Sequence, residues 1–386
     1  MDTGHPLVRI LNQKAFSFFM RQTAIVNLPL HEGKAPRWLF GRMVEMSSAI
    51  TETVVDEYGQ NEFIKRISNP YWFQALSCVI GYDWHSSGTT TVTCGALKEA
   101  LKNKNLGVFV AGGKGKTSRK TPNEIEKFSE STNLSTLKIE RMKYSSKMSA
   151  KVDSAVLQDN YNLYHHCFFF TEKGKWAVIQ QGMNNLNNYA RRYHWISDNL
   201  KSFVDAPQNA VCCDLREDKV LDMSAKESAD ARKTSVDVVK DNPNHLEKFF
   251  RPAVQRTLFN FNSHAIDFIM PPHHEISDMA NINLKTLEKA YEIQPRNYEE
   301  LIAIKGVGAK AVRSLALISS LIYGDKVSWE DPVKYSFAHG GKDGIPYPVD
   351  KQLMDSSTET LRNAIRQSKL GQKEKINALR KLSSFF

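Results

Sequence analysis

No apolar run in this chain reaches the roughly 18 residues that a membrane-spanning helix needs, so no membrane partner is expected. A secretory leader is not legible either: Leu11 to Val26 is interrupted by Lys14, Arg21 and Gln22, and residues 1–26 read as an extension. Cysteine is scarce. The five, Cys78, Cys94, Cys167, Cys212 and Cys213, include no C-x-x-C pair, which argues against a zinc finger or an iron–sulfur cluster. The adjacent Cys212 and Cys213 make a poor metal clamp, and buried thiols in a reducing compartment are expected, hence a cytoplasmic protein. The phosphate-loop pattern G-x-x-x-x-G-K-S/T is absent, although "GGKGKTSRK" at residues 112–120 is a Gly-rich basic turn able to touch a phosphate backbone.

What is present is ample apolar material. The 386 residues are 41% hydrophobic, with 20 Phe, 13 Tyr and 6 Trp, enough for two or three domains with real cores. The formal net charge of +10 favours an anionic partner such as nucleic acid and says nothing about fold. Much of that excess is local: residues 98–151 hold 13 Lys or Arg against 5 Glu.

Periodicity gives a coarse organisation. From Trp38, apolar residues recur at helical spacing through Leu39, Met43, Met46, Ile50 and Val54, after a helix-starting Pro36. A second helix is predicted from Asn61 to Val79, and a helical stretch from Leu97 to Leu101. "GVFVAGG" reads as a buried strand. Two apolar runs around Thr171–Lys175, with Gly174 between them, predict a β-hairpin. Beyond about Ser197 the pattern is mostly helical, with segments at 224–240, 245–251, 253–269, 284–291, 298–304, 310–323 and 356–382, and a soft boundary at 200–221. The expected fold class is α+β: a mixed α/β module at 27–205, then an all-helical module at 206–386.

The densest motif is "NYEELIAIKGVGAKAVRSLALISSLIYG". One short helix meets the turn Lys305-Gly306-Val307-Gly308, and a second begins near Ala309. Glycines let backbone approach a phosphate, the second helix offers free N–H groups and its positive dipole end, and Lys305, Lys310 and Arg313 add charge. Val307 is apolar, as a plug between the helices would be. The stretch resembles the helix-hairpin-helix family over residues 298–323. That resemblance implies DNA binding through phosphates, without sequence preference and weakened by salt. Some members are DNA glycosylases, in which Lys at the Lys310 position forms a Schiff base and an Asp follows in a "PVD" context, here Asp350. The gap from Lys310 to Asp350 is longer here than in those enzymes, which puts that chemistry in doubt.

Polar clusters border the apolar runs of the first half. Asp153 and Asp159 are the candidate ligands for Mg2+ or Mn2+ in a phosphodiester-cleaving site, with Lys114 and His85 as further catalytic candidates. Glu172 and Lys175 are weaker candidates, because a hairpin tip is usually solvated. Lys116 and Arg119 are further candidate contacts to DNA. His165, His166 and His194 lack compact ligand spacing and read as hydrogen-bonded structural histidines. Taken together, "LPLHEGKAPRWLFGRM", "GYDWHSSGTTT", "GGKGKTSRKTP", "VDSAVLQDNYNLYHH" and "WAVIQQGMN" resemble domain-of-unknown-function family 763 of archaea and thermophilic bacteria. The resemblance covers most of residues 27–350 and implies a cytosolic, archaeal, DNA-linked protein, with no residue roles to carry over. Three readings stay open: a metal-dependent nuclease of DNA repair or processing, a non-catalytic DNA-binding or recruitment factor, and a glycosylase or lyase using Lys310.

Overall fold

Strands β1 (Val108–Lys114), β2 (Leu157–Gln158) and β3 (Asn162–Thr171) are joined in sequence by helices α5 (Thr121–Ser129) and α6 (Thr136–Lys151). β4 (Trp176–Asn184), β5 (Tyr189–Ile196), β6 (Ala210–Cys212) and β7 (Leu221–Asp222) follow. The main sheet has the order β1-β3-β4-β5-β6, and every pairing is antiparallel. The hairpin β3–β4 is the one predicted around Gly174. Its strands are buried on both faces, which explains the near-continuous apolar runs "CFFF" and "WAVI". The fold is described by a computed structural model for residues 35–81, 88–102, 104–198, 200–213, 215–242, 284–333, 359, 361–367 and 371–383. The predicted helices at 245–251 and 253–269 lie outside the described residues.

Helices cover both faces. On one side pack α1 (Arg37–Tyr58), α2 (Gln60–Ser68), α3 (Pro70–Val79) and α4 (Gly88–Leu101), meeting Val108, Val110, Phe169 and Ile179. α1 buries Met43, Met46, Ile50 and Val54, most of its predicted stripe. The single helix predicted over 61–79 is two. Asn69 ends the first, and its side chain accepts from Tyr71 N and Trp72 N, while Pro70 opens the second. α4 extends well before Leu97, through a β-branched "TTTVT" that propensity disfavours in a helix but burial retains.

On the other face lie α5, α6 and the C-terminal helices α7 (Ala229–Lys240), α8 (Leu284–Ile293), α9 (Tyr298–Ala303) and α10 (Ala309–Tyr323). Their core is continuous with Phe168, Phe170, Trp176, Val178 and Trp195. The α+β reading holds, yet no break in packing falls at residue 205. β6 and β7 lie beyond it and pair with the first half, and one core runs from Ala111 to Val333. The last helix, α11 (Gln372–Ser383), returns to the opposite side, where Ala378 joins the core of α1–α4. No helix among the described residues is long and apolar enough to cross a membrane.

Candidate functional site

Three polar sites emerge from this frame, two buried against the sheet and one on the surface. The first follows from the turn "VDSAV". Here α6 widens into a π-helical turn, Val152–Val156, which carries Asp153 into the core under the sheet. Asp153 Oδ2 accepts from Gln180 Nε2 at 2.6 Å and Trp195 Nε1 at 2.7 Å, and Oδ1 accepts from Gln208 Nε2 at 2.8 Å. Gln180 Oε1 lies 2.8 Å from His166 Nδ1, and His166 Nε2 lies 2.8 Å from Ser146 Oγ. With Gln180 Oε1 as acceptor, His166 carries its proton on Nδ1 and accepts from Ser146. Burial pushes the His166 imidazole down to about 4, so it stays neutral. Burial pushes the Asp153 carboxyl up to about 8, against the Gln208 and Trp195 donors that favour its charged form.

The second network joins the sheet to the chain after α10. Arg191 donates to Asp159 Oδ2 at 3.1 Å and to Asp331 Oδ1 and Oδ2 at 3.1 and 2.7 Å. Tyr193 Oη donates to Asp159 Oδ2 at 2.6 Å, and Tyr161 N to Oδ1 at 3.1 Å. The guanidinium lies 4.4 Å from the centre of the Tyr161 ring. Burial raises the Asp159 carboxyl, and the charge of Arg191 opposes that rise. Both oxygens of Asp153 and of Asp159 therefore accept from protein donors, both residues are buried, and a guanidinium occupies the place beside Asp159 where a cation was expected. The two aspartates sit in separate networks, and the geometry gives no support to a shared Mg2+ or Mn2+. His85 and Asp350 lie outside the described residues. Lys114 is exposed, its Nζ 5.7 Å from the Tyr164 ring centre. Glu172 accepts from Gln60 at 3.0 Å and Lys175 pairs with Asp198 at 2.6 Å, so both are engaged at the surface.

The third site is the surface turn between α9 and α10. Asn297 caps α9 by accepting from Glu300 N at 2.9 Å. Gly306 has φ +109°, and a Cβ there would sit 3.0 Å from Thr286 Oγ1, so this position requires glycine. Gly308 differs: its φ of −118° suits any residue, and a Cβ would meet nothing within 4 Å. Val307 is buried in the core shared by α7, α9 and α10, as the predicted plug. Val312 N donates to Gly308 O at 3.0 Å, and no side chain caps the amides before it. Lys305 and Lys310 are exposed and make no ion pair among the described residues. Arg313 is committed inward: its Nε donates to Gln158 Oε1 at 2.9 Å, while Gln158 Nε2 donates to Ala309 O at 2.8 Å. A second exposed basic group, Lys114, Lys116, Arg119 and Lys120, occupies the end of β1 and the turn Gly115–Lys120. Lys114 pairs in register with His165 near the start of β3, and Gln158 lies just before β3. Both basic groups thus fall toward one end of the sheet.

One cluster was not legible in the sequence. Cys94 of α4 and His165 and Cys167 of β3 lie on the opposite face from Asp153, with their ligand atoms all within 4.8 Å of one another. No curated protein and no solved structure matches the chain. Residues 24–349 do match a family described as "Protein of unknown function (DUF763)", and the chain belongs to that family.

Proposed function

We propose that the protein binds the phosphate backbone of DNA, without sequence preference, through the turn of residues 304–308 and the first turn of α10, with the basic turn at 114–120 adding to the footprint. The observation that carries this reading is the contrast between the two glycines. Gly306 is demanded by its own backbone, whereas nothing inside the protein demands Gly308. Its missing side chain leaves uncapped amides open to an outside group, flanked by Lys305 and Lys310. An uncapped helix start with nearby lysines favours an anion, and a phosphodiester fits both the charge and the close approach.

The reading requires no ion at Asp153 or Asp159. Fluorescence anisotropy on duplexes of unrelated sequence tests it. Wild-type protein should bind all of them similarly, in chelator as well as in Mg2+ or Mn2+, with affinity falling steeply as salt rises. Gly308→Ala should fold normally and bind less tightly, and Gly308→Glu should abolish binding. Unchanged affinity in both variants would reduce the hairpin to a packing element. Cleaved product in Mg2+ or Mn2+ would instead add hydrolysis to the binding.

A further inference from the structure

We propose that Cys94, His165 and Cys167 form a binding site for a soft divalent cation, zinc above all, between α4 and the sheet. The argument begins with strand geometry. Residues two apart on a strand share a face, so His165 and Cys167 of β3 point to the same side. α4 packs on that side and delivers Cys94. The three ligand atoms lie within 4.8 Å of one another, and all three residues are buried. Two sulfurs and an imidazole are the donor set that zinc prefers and that Mg2+ or Mn2+ does not.

The independent observation is His165 itself. It is 1% exposed, and neither ring nitrogen has a hydrogen-bond partner among the described residues. Its sequence neighbour His166, on the other face, has both nitrogens satisfied. An imidazole buried without partners is costly, and a metal bond removes the cost. Burial first, and the charge of Lys114 with it, hold His165 neutral, the form that ligates. Burial and the neighbouring Cys167 push the Cys94 thiol up, against the charge of Arg192, so without metal it is a thiol.

Binding is a simple exchange. Two S–H bonds release protons to solvent, two sulfur–metal bonds and one nitrogen–metal bond form, and no electron is transferred. The two thiolates neutralise the charge of the cation. Tetrahedral coordination then leaves a fourth position beyond these three donors.

The test uses the full-length protein, purified under reducing conditions. Elemental analysis should find about one zinc per chain. Cobalt added to metal-free protein should give thiolate-to-metal charge-transfer absorption that zinc abolishes. Cys94→Ser and Cys167→Ser should each remove the zinc and the absorption, while Cys212→Ser and Cys213→Ser keep both. If a serine variant fails to fold, zinc uptake and the cobalt spectrum of the wild type decide. Folded wild type that takes up neither metal would overturn the site. So would retention of zinc by the Cys94→Ser/Cys167→Ser double variant. A thiol titration in denaturant that counts three free thiols both in the wild type and in the Cys94→Ser/Cys167→Ser variant would assign Cys94 and Cys167 to a disulfide and overturn it as well.

Discussion

His165 and His166 are consecutive, both buried, and in opposite circumstances. His166 faces α6 and belongs to a chain of hydrogen bonds from Ser146 to Asp153, Trp195 and Gln208. The ring of His165 faces α4, and neither of its nitrogens has a hydrogen-bond partner among the described residues. The network carrying His166 is complete: both of its ring nitrogens and both Asp153 oxygens are bonded within the chain. The face carrying His165 is complete only with something the chain does not supply. Both rings are buried, so bonding within the chain is what separates the two histidines.

The sharpest way to break the comparison is through the completed face. Arg191→Ala would leave Asp159 and Asp331 buried without their counter-charge, and a loss of about 3–5 kcal/mol in denaturant unfolding is expected. A loss below about 1 kcal/mol would show that these acids escape to water, contrary to their burial. Next in size is a paired test on the two histidines in metal-free protein. His166→Leu strands Gln180 and Ser146 and should cost about 1–3 kcal/mol. His165→Leu removes an unsatisfied group and should cost little or raise the melting temperature. Equal losses would erase the distinction between the faces.

A pH dependence tests the same side independently of any lost contact. The folded Asp153 carboxyl is raised to about 8 from an ordinary 3.8, so the folded state holds this proton more tightly than the unfolded state. Its contribution to stability is fully present below about pH 4 and is lost as pH rises through about 8. Asp153→Asn should flatten that decline in a series of melting temperatures. An unchanged slope would mean that the three N–H donors outweigh burial and keep the carboxylate charged throughout.

Sequence patterns revealed what depends on near neighbours. The β3–β4 hairpin, the apolar stripe of α1 and the buried Val307 between two glycines were all legible. β5 was missed because "YARRYHWI" places two arginines and a histidine where a strand buried on both faces should be apolar. The terminal nitrogens of the two arginines are taken up by Asp331 and Gln74, far away in sequence, and local pattern cannot show it. One core spans the predicted boundary near residue 205, because helices after it pack on the same sheet as α5 and α6 before it. The Cys94–His165–Cys167 cluster escaped because its ligands come from a helix and a strand, outside any short ligand spacing.

The seam where the first half meets the end of α10 has a consequence of its own. Met223 N donates to Val156 O, Asp222 N to Ser328 O and Val220 N to Trp329 O, and Asp331 closes on Arg191 nearby. Three distant stretches of chain are thus stitched together around a buried charge. Separating them would open backbone hydrogen bonds and strand buried charged groups in the same event, so detaching either half alone would be costly. The described residues around this sheet form one cooperative unit, and the surface turn at Gly308, anchored through Gln158, is held at a fixed angle to the whole of it.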